Sequence, residues 1–243
     1  MDIDKAVVLV TGASSGIGAA TARAASSAGA QVVLLARRTD RIRRLADELG
    51  EAVFVRCDVT DAGEVDAAVR AATEAFGRID VLCNIAGQGL HAPLEEIDPD
   101  DFRAILELNL VAPLVTMQAV LPIMRKQGSG SIVNVSSGIT FSALPGSAAY
   151  GASKAGLSKL SAVARAELAD AGIAVSTMYP FVTDSEFVES LRGDTESAAQ
   201  LESSHAPKPQ SPEQVAEAIL DLIRTGAEQA DLVPEQFGGS YQE

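Results

Sequence analysis

The chain has 243 residues, 47% of them hydrophobic and 21% charged, the composition of a globular protein that can bury a substantial core rather than of a disordered chain. Asp and Glu outnumber Lys and Arg by 33 to 19, a formal charge of −14, which argues against nucleic acid as a partner because phosphate contacts need a basic face. Cys57 and Cys83 have no metal-type spacing and read as buried free thiols, with no metal site expected.

The first ten residues, "MDIDKAVVLV", place acidic residues before a short apolar run, unlike a secretory leader. No uninterrupted apolar run reaches the length of about 18 residues that a membrane helix needs. The expectation is a cytoplasmic protein with no membrane partner. Six short β-branched runs follow in order: "AVVLVT", "QVVLLA", "AVFVRC", "IDVLCN", "SIVNVSS" and "IAVSTMY". Their continuity suits strands buried on both faces. Helical patterns lie between them at residues 16–28, 40–49, 61–76, 99–127 and 150–171. Strand alternating with helix predicts an α/β fold, a Rossmann-like doubly wound parallel sheet in three α/β/α layers. No linker or composition break divides the first 180 residues, and residues 1–243 are read as a single domain.

The first strand runs into "TGASSGIG". Gly12, Gly16 and Gly18, with Ser14, Ser15 and Ile17 among them, allow a sharp turn and a close backbone approach. The next helix then aims its N-terminal amides at a pyrophosphate. Glycine-rich turns follow strands in many folds, but a strand before and a helix after make a dinucleotide site the expectation here. Coenzyme choice is read at the end of the second strand, where an NAD-preferring chain carries an acid for the ribose 2′-hydroxyl. Here "LLARRTDRIRR" has Ala36 at that place, then Arg37 and Arg38, which can pair with a 2′-phosphate. NADP is the expected coenzyme and NAD the alternative. Further along, "GSAAYGASKAGLSKL" sets Tyr150 and Lys154 one helical turn apart on one face. A free phenol has a pKa near ~10, and a neighbouring cation favours its ionised form, as a general acid/base requires. The small residues Gly151, Ala152 and Ala155 leave room for a cofactor against this helix.

TGxxxGxG near the N-terminus and "YGASK" about 140 residues later resemble the short-chain dehydrogenase/reductase family, in its single-domain branch. The resemblance covers nearly the whole chain. It implies that Asp58, with Val59 beside it in "CDV", contacts adenine, and that "NIAG" supplies Asn84, Ala86 and Gly87 as a turn on the coenzyme. It implies Asn109 as a holder of a relay water and Lys154 as a grip on the nicotinamide ribose, next to Tyr150. The family's serine stands 13 residues before its tyrosine, which selects Ser137 over Ser136. On a strand those two face opposite sides. After the last predicted strand "YPFVTDSEF" departs from the family's PG by placing Phe181 at the glycine, leaving Pro180 and either Thr183 or Ser185 for the carboxamide.

The polar stretch at about 184–210 is expected to cover the site as a lid. His91 and His205 read as loop residues without a catalytic role. The implied activity is hydride transfer between nicotinamide and a small-molecule carbonyl or secondary alcohol, with Tyr150 as acid/base. The alternative is a dinucleotide sensor or scaffold of the same fold, which would not need Asn109, Ser137, Tyr150 and Lys154 together. The apolar helices near 102–125 and 150–168 suggest a homodimer or a homotetramer.

Overall fold

The structure, a computed structural model, describes residues 1–195 and 209–242. Seven parallel strands form the central sheet: β1 (Val7–Thr11), β2 (Gln31–Ala36), β3 (Ala52–Arg56), β4 (Val81–Asn84), β6 (Gly130–Val135), β7 (Ile173–Tyr179) and β9 (Gln229–Asp231). Their order is β3-β2-β1-β4-β6-β7-β9. A second, two-stranded parallel sheet pairs β5 (Leu90–His91) with β8 (Arg192–Gly193). The expected doubly wound α/β fold is therefore the fold observed.

Alternation within each strand divides the core in two. Val8, Val10, Val32 and Leu34 face α1 (Gly16–Ser27), α2 (Thr39–Leu49) and α7 (Pro212–Thr225). Val7, Leu9, Leu82 and Ile132 face α3 (Ala62–Phe76), α5 (Ala112–Gln127) and α6 (Ala148–Leu168). Both faces are covered, as uninterrupted β-branched runs demand.

Besides β5 and β8, helix α7 and strand β9 lie outside the predicted alternation. Helix α7 begins with a capping box between Ser211 and Gln214, carries Pro212 in its first turn and stops at left-handed Gly226. Strand β9 reads "QAD" and has no apolar run, so only its pairing with β7 defines it. The predicted helix at 99–127 is three segments: α4 (Pro99–Leu106), a π turn (Glu107–Val111) and α5. By length and composition alone Pro99–Gln127 could cross a membrane; here α5 packs on α3 and inserts Met117, Val120 and Met124 into the core.

A buried polar chain ties four elements together. The Asn84 amide on β4 donates to Asn134 Oδ1 on β6 (2.9 Å), and Thr116 on α5 donates to Asn84 Oδ1 (2.7 Å). The Asn134 amide donates in turn to Ser161 Oγ on α6 (2.8 Å). Asn84→Ala leaves the buried Asn134 Oδ1 without its donor, while Thr116 keeps the Pro113 carbonyl (3.0 Å), a change that costs about 1–3 kcal/mol. Urea unfolding should show that loss. An unchanged midpoint would contradict the network's role.

Candidate active site

Strand β1 pairs with β2 on one side and β4 on the other, so the crossovers leave it in opposite directions and open a crevice at the carboxyl ends of the strands. The crevice is a cavity of about 500 Å³. Its floor is the loop after β1. Gly12 has φ +69°, and a Cβ there would stand 2.9 Å from the Ala86 backbone. At Gly18 a Cβ would come within 2.3 Å of the Gly12 carbonyl oxygen, so helix α1 can pack this close to the turn only with glycine. These two contacts explain the glycine spacing and leave an open cradle suited to a bulky anionic ligand.

Of the residues expected to touch the coenzyme, Ser14, Ser15, Gly16, Ile17, Arg37, Arg38, Asp58, Val59, Ala86, Gly87, Pro180, Thr183 and Ser185 line this cavity with Gly12 and Gly18. Ser185 faces Gly16, while Thr183 bridges to Gln210 and donates its hydroxyl to the Phe181 carbonyl (3.0 Å). Asn84 is a correction: its side chain is spent inside the sheet on Asn134, Thr116 and the Pro113 carbonyl. The turn of "NIAG" reaches the cavity; its asparagine does not.

The far end of the cavity holds Ser137, Tyr150 and Lys154. Ser136 and Ser137 both follow the end of β6 and both line the cavity, but their hydroxyls are engaged differently. Ser136 is buried and donates to the Lys154 carbonyl (3.1 Å) beside Ser158 Oγ (2.8 Å). Ser137 is half-buried and, among the described residues, its hydroxyl accepts from the Ile139 amide (3.3 Å), which leaves its O–H to donate into the cavity. The Lys154 ammonium is buried, donates to the Val135 carbonyl at the end of β6 (2.9 Å) and lies 5.9 Å from the Tyr150 ring centre. Burial lowers its pKa to about 8.

Asn109 lies in the π turn, fully buried. Its Oδ1 accepts from the Gln88 amide (3.0 Å), and its Nδ2 donates to the Gln88 carbonyl (2.8 Å) and Ser153 Oγ (3.0 Å). Gly87 sits between this amide and Lys154: a Cβ there would stand 3.1 Å from Asn109 Oδ1 and 3.3 Å from Lys154 Nζ. Asn109 therefore braces the cavity wall without lining it. Cys57 and Cys83 are buried free thiols pushed up to about 11 and about 12 by burial, so neither forms a nucleophile at neutral pH.

Sequence reasoning expects a covering segment from about 184 but does not single out the residues that make the rim. After β7 the chain crosses the cavity as a strap, and Phe187 on it lies 5.6 Å from the Tyr150 ring, centre to centre. Leu144, Phe181 and Leu191 continue this apolar wall. His91, in β5, lines the cavity with its ring against Gly146. Arg41, read as a solvated helix residue, donates to Glu186 on the strap (2.6 Å). Neither partner announces the other in sequence. Residues 196–208 of the expected lid, and His205, lie outside the described residues.

Comparison with known proteins gives a consistent picture. The short chain dehydrogenase family matches residues 6–196. An uncharacterized oxidoreductase of Listeria monocytogenes is 33% identical over 229 residues, covering 92% of each chain. The structure is similar to an alcohol dehydrogenase of Thermococcus sibiricus complexed with 5-hydroxy-NADP, at TM-score 0.82 and 28% identity over 94% of this chain and 96% of that one. It is also similar to a short-chain dehydrogenase/reductase of Burkholderia phymatum in complex with NAD, at TM-score 0.90 and 25% identity over 97% and 91%.

The buried ammonium makes a stability prediction. The folded-state pKa of Lys154, about 8, lies below its ordinary 10.5. Its unfavourable contribution is thus fully present below pH 8 and vanishes as pH rises through 10.5. Lys154→Met, allowing for the lost bond to Val135, should stabilise the unliganded protein by about 1–2 kcal/mol at pH 7. The gain should fade by pH 10 in thermal or urea unfolding. A Met variant less stable at pH 7 than the parent would contradict the burial cost.

Proposed function

Because the chain belongs to the short-chain dehydrogenase family, we propose that this oxidoreductase interconverts a neutral carbonyl compound and its secondary alcohol, with NADP(H) preferred over NAD(H). The observation that carries the reading is one continuous cavity, with the glycine turn at one end and Ser137, Tyr150 and Lys154 at the other. The dinucleotide, when bound, supplies or accepts the hydride. In the reducing direction Tyr150 gives its phenolic proton to the substrate oxygen as negative charge develops there. Ser137 donates a hydrogen bond to the same oxygen. Lys154, buried behind the ring and held by Val135, stabilises the phenolate that remains. Asn109 keeps the Gly87–Gln88 turn against Lys154, along which a proton can be replaced from solvent.

Arg37 and Arg38, at the edge where a carboxylate would select NAD, support the NADP preference. The apolar wall of Leu144, Phe181, Phe187 and Leu191 supports an uncharged substrate. Exposed Val111 and Leu114, with Val163 on α6, support a homodimer that pairs these surfaces, or a homotetramer that includes this pairing. Free buried thiols agree with a cytoplasmic location.

The test is loss of NADPH absorbance with a panel of neutral ketones and aldehydes. Ser137→Ala should lower kcat by about 10²–10³, the usual cost of an oxyanion donor. Ser136→Ala should cost stability and leave most of kcat. The reverse ranking would overturn the assignment, and coenzyme binding without turnover on any carbonyl would favour the sensor.

A further inference from the structure

Glu186 stands where a second negative charge would be wanted. Arg38 sits on the glycine turn, donating to Ser14 Oγ (3.0 and 2.9 Å) and Ser15 Oγ (2.6 Å). The same guanidinium donates to Glu186 Oε2 (2.8 Å), and Arg41 donates to both Glu186 oxygens (2.6 Å each). The bonds from Arg41 and then Arg38 hold the Glu186 carboxyl below its ordinary pKa, so it is ionised at neutral pH. Arg37 reaches toward a different carboxylate, Asp58 Oδ2, at 3.9 Å.

This contact is anchored from both sides. Past Glu186 the strap is tied to the opposite wall: the Gln88 side-chain amide donates to the Ser190 carbonyl (2.5 Å), and Arg192 donates to Gln88 Oε1 (3.1 Å) and to Asp101. Glu186 is therefore presented to Arg38 and Arg41 by a chain fixed at its far end. Arg38 and Glu186 line the cavity and Arg41 stands behind Glu186, so the two arginines form an anion site already filled by an internal anion.

We propose that Glu186 is a coenzyme-specificity residue, a carboxylate that competes with the 2′-phosphate of NADP(H) for Arg38 and Arg41. The inference rests on the coenzyme reading above. A dinucleotide bearing a 2′-phosphate must displace or repel Glu186, whereas one with a free 2′-hydroxyl leaves the Glu186 pairs in place. The arginines thus favour NADP(H) less than their number suggests, and Glu186 sets how far.

The experiment is calorimetric binding of two probes at low ionic strength, where exposed charges are least screened. Adenosine 2′,5′-bisphosphate carries the 2′-phosphate; adenosine 5′-monophosphate lacks it. Glu186→Gln should tighten the bisphosphate by about threefold to tenfold and leave the monophosphate within about twofold. Equal changes for both probes, or none for the bisphosphate, would overturn the proposal. NADP and NAD binding to the parent reports separately on the coenzyme reading. A parent that favours NAD overturns that reading, while the Glu186→Gln shift between the two adenosine probes is still read on its own.

Discussion

A lysine ammonium buried at the carboxyl end of a parallel sheet is the constraint on which the site depends. Burial alone would expel such a group or discharge it. Lys154 stays because the last carbonyl of β6 accepts a hydrogen bond from it (2.9 Å) and because Gly87 offers no Cβ to crowd it. The π turn carries Asn109 into the same corner, where its amide fixes the Gln88 backbone and Ser153 on α6. Tyr150, one turn ahead of Lys154, then meets a cation on one side and Phe187 on the other. Sheet order, helix α6 and the π turn are consistent with the single task of holding this charge in place.

The two ends of the cavity obey different physics. At Tyr150 the groups are shielded, and small displacements of charge carry large energies. At the ribose edge Arg37, Arg38, Arg41 and Glu186 are partly exposed and screened, so their pairs are individually weak and exchangeable. A shielded end for the proposed chemistry and a screened end for the proposed coenzyme contact fit a family in which one complex holds a 5-hydroxy-NADP and another NAD.

Much of this was legible in the residues. Continuous runs such as "QVVLLA" can only be buried on both faces, and the glycine turn, Tyr150 and Lys154, singled out by their spacing, lie on one cavity. The failures have physical causes. Asn84 lies in a turn sequence that reaches the cavity, but its side chain alternates inward, a matter of strand phase that the turn does not reveal. Strand β9 exists by pairing with β7 and has no apolar signature. The helix over Pro99–Gln127 forms as the pattern reads, and only the widened π turn within it leaves no mark on the periodicity. Arg41 and Glu186 lie 145 residues apart, and only the folded strap brings them together.

The central claim is that Tyr150 moves the proton while the cradle binds the coenzyme independently of it. Coenzyme affinity and turnover of Tyr150→Phe, measured on one preparation, test that claim most directly. The account predicts a dissociation constant within a few-fold of the parent and a kcat lower by about 10²–10⁴, the usual contribution of a general acid/base. A Phe variant that turns over at near the parental rate, with the same affinity, would contradict it.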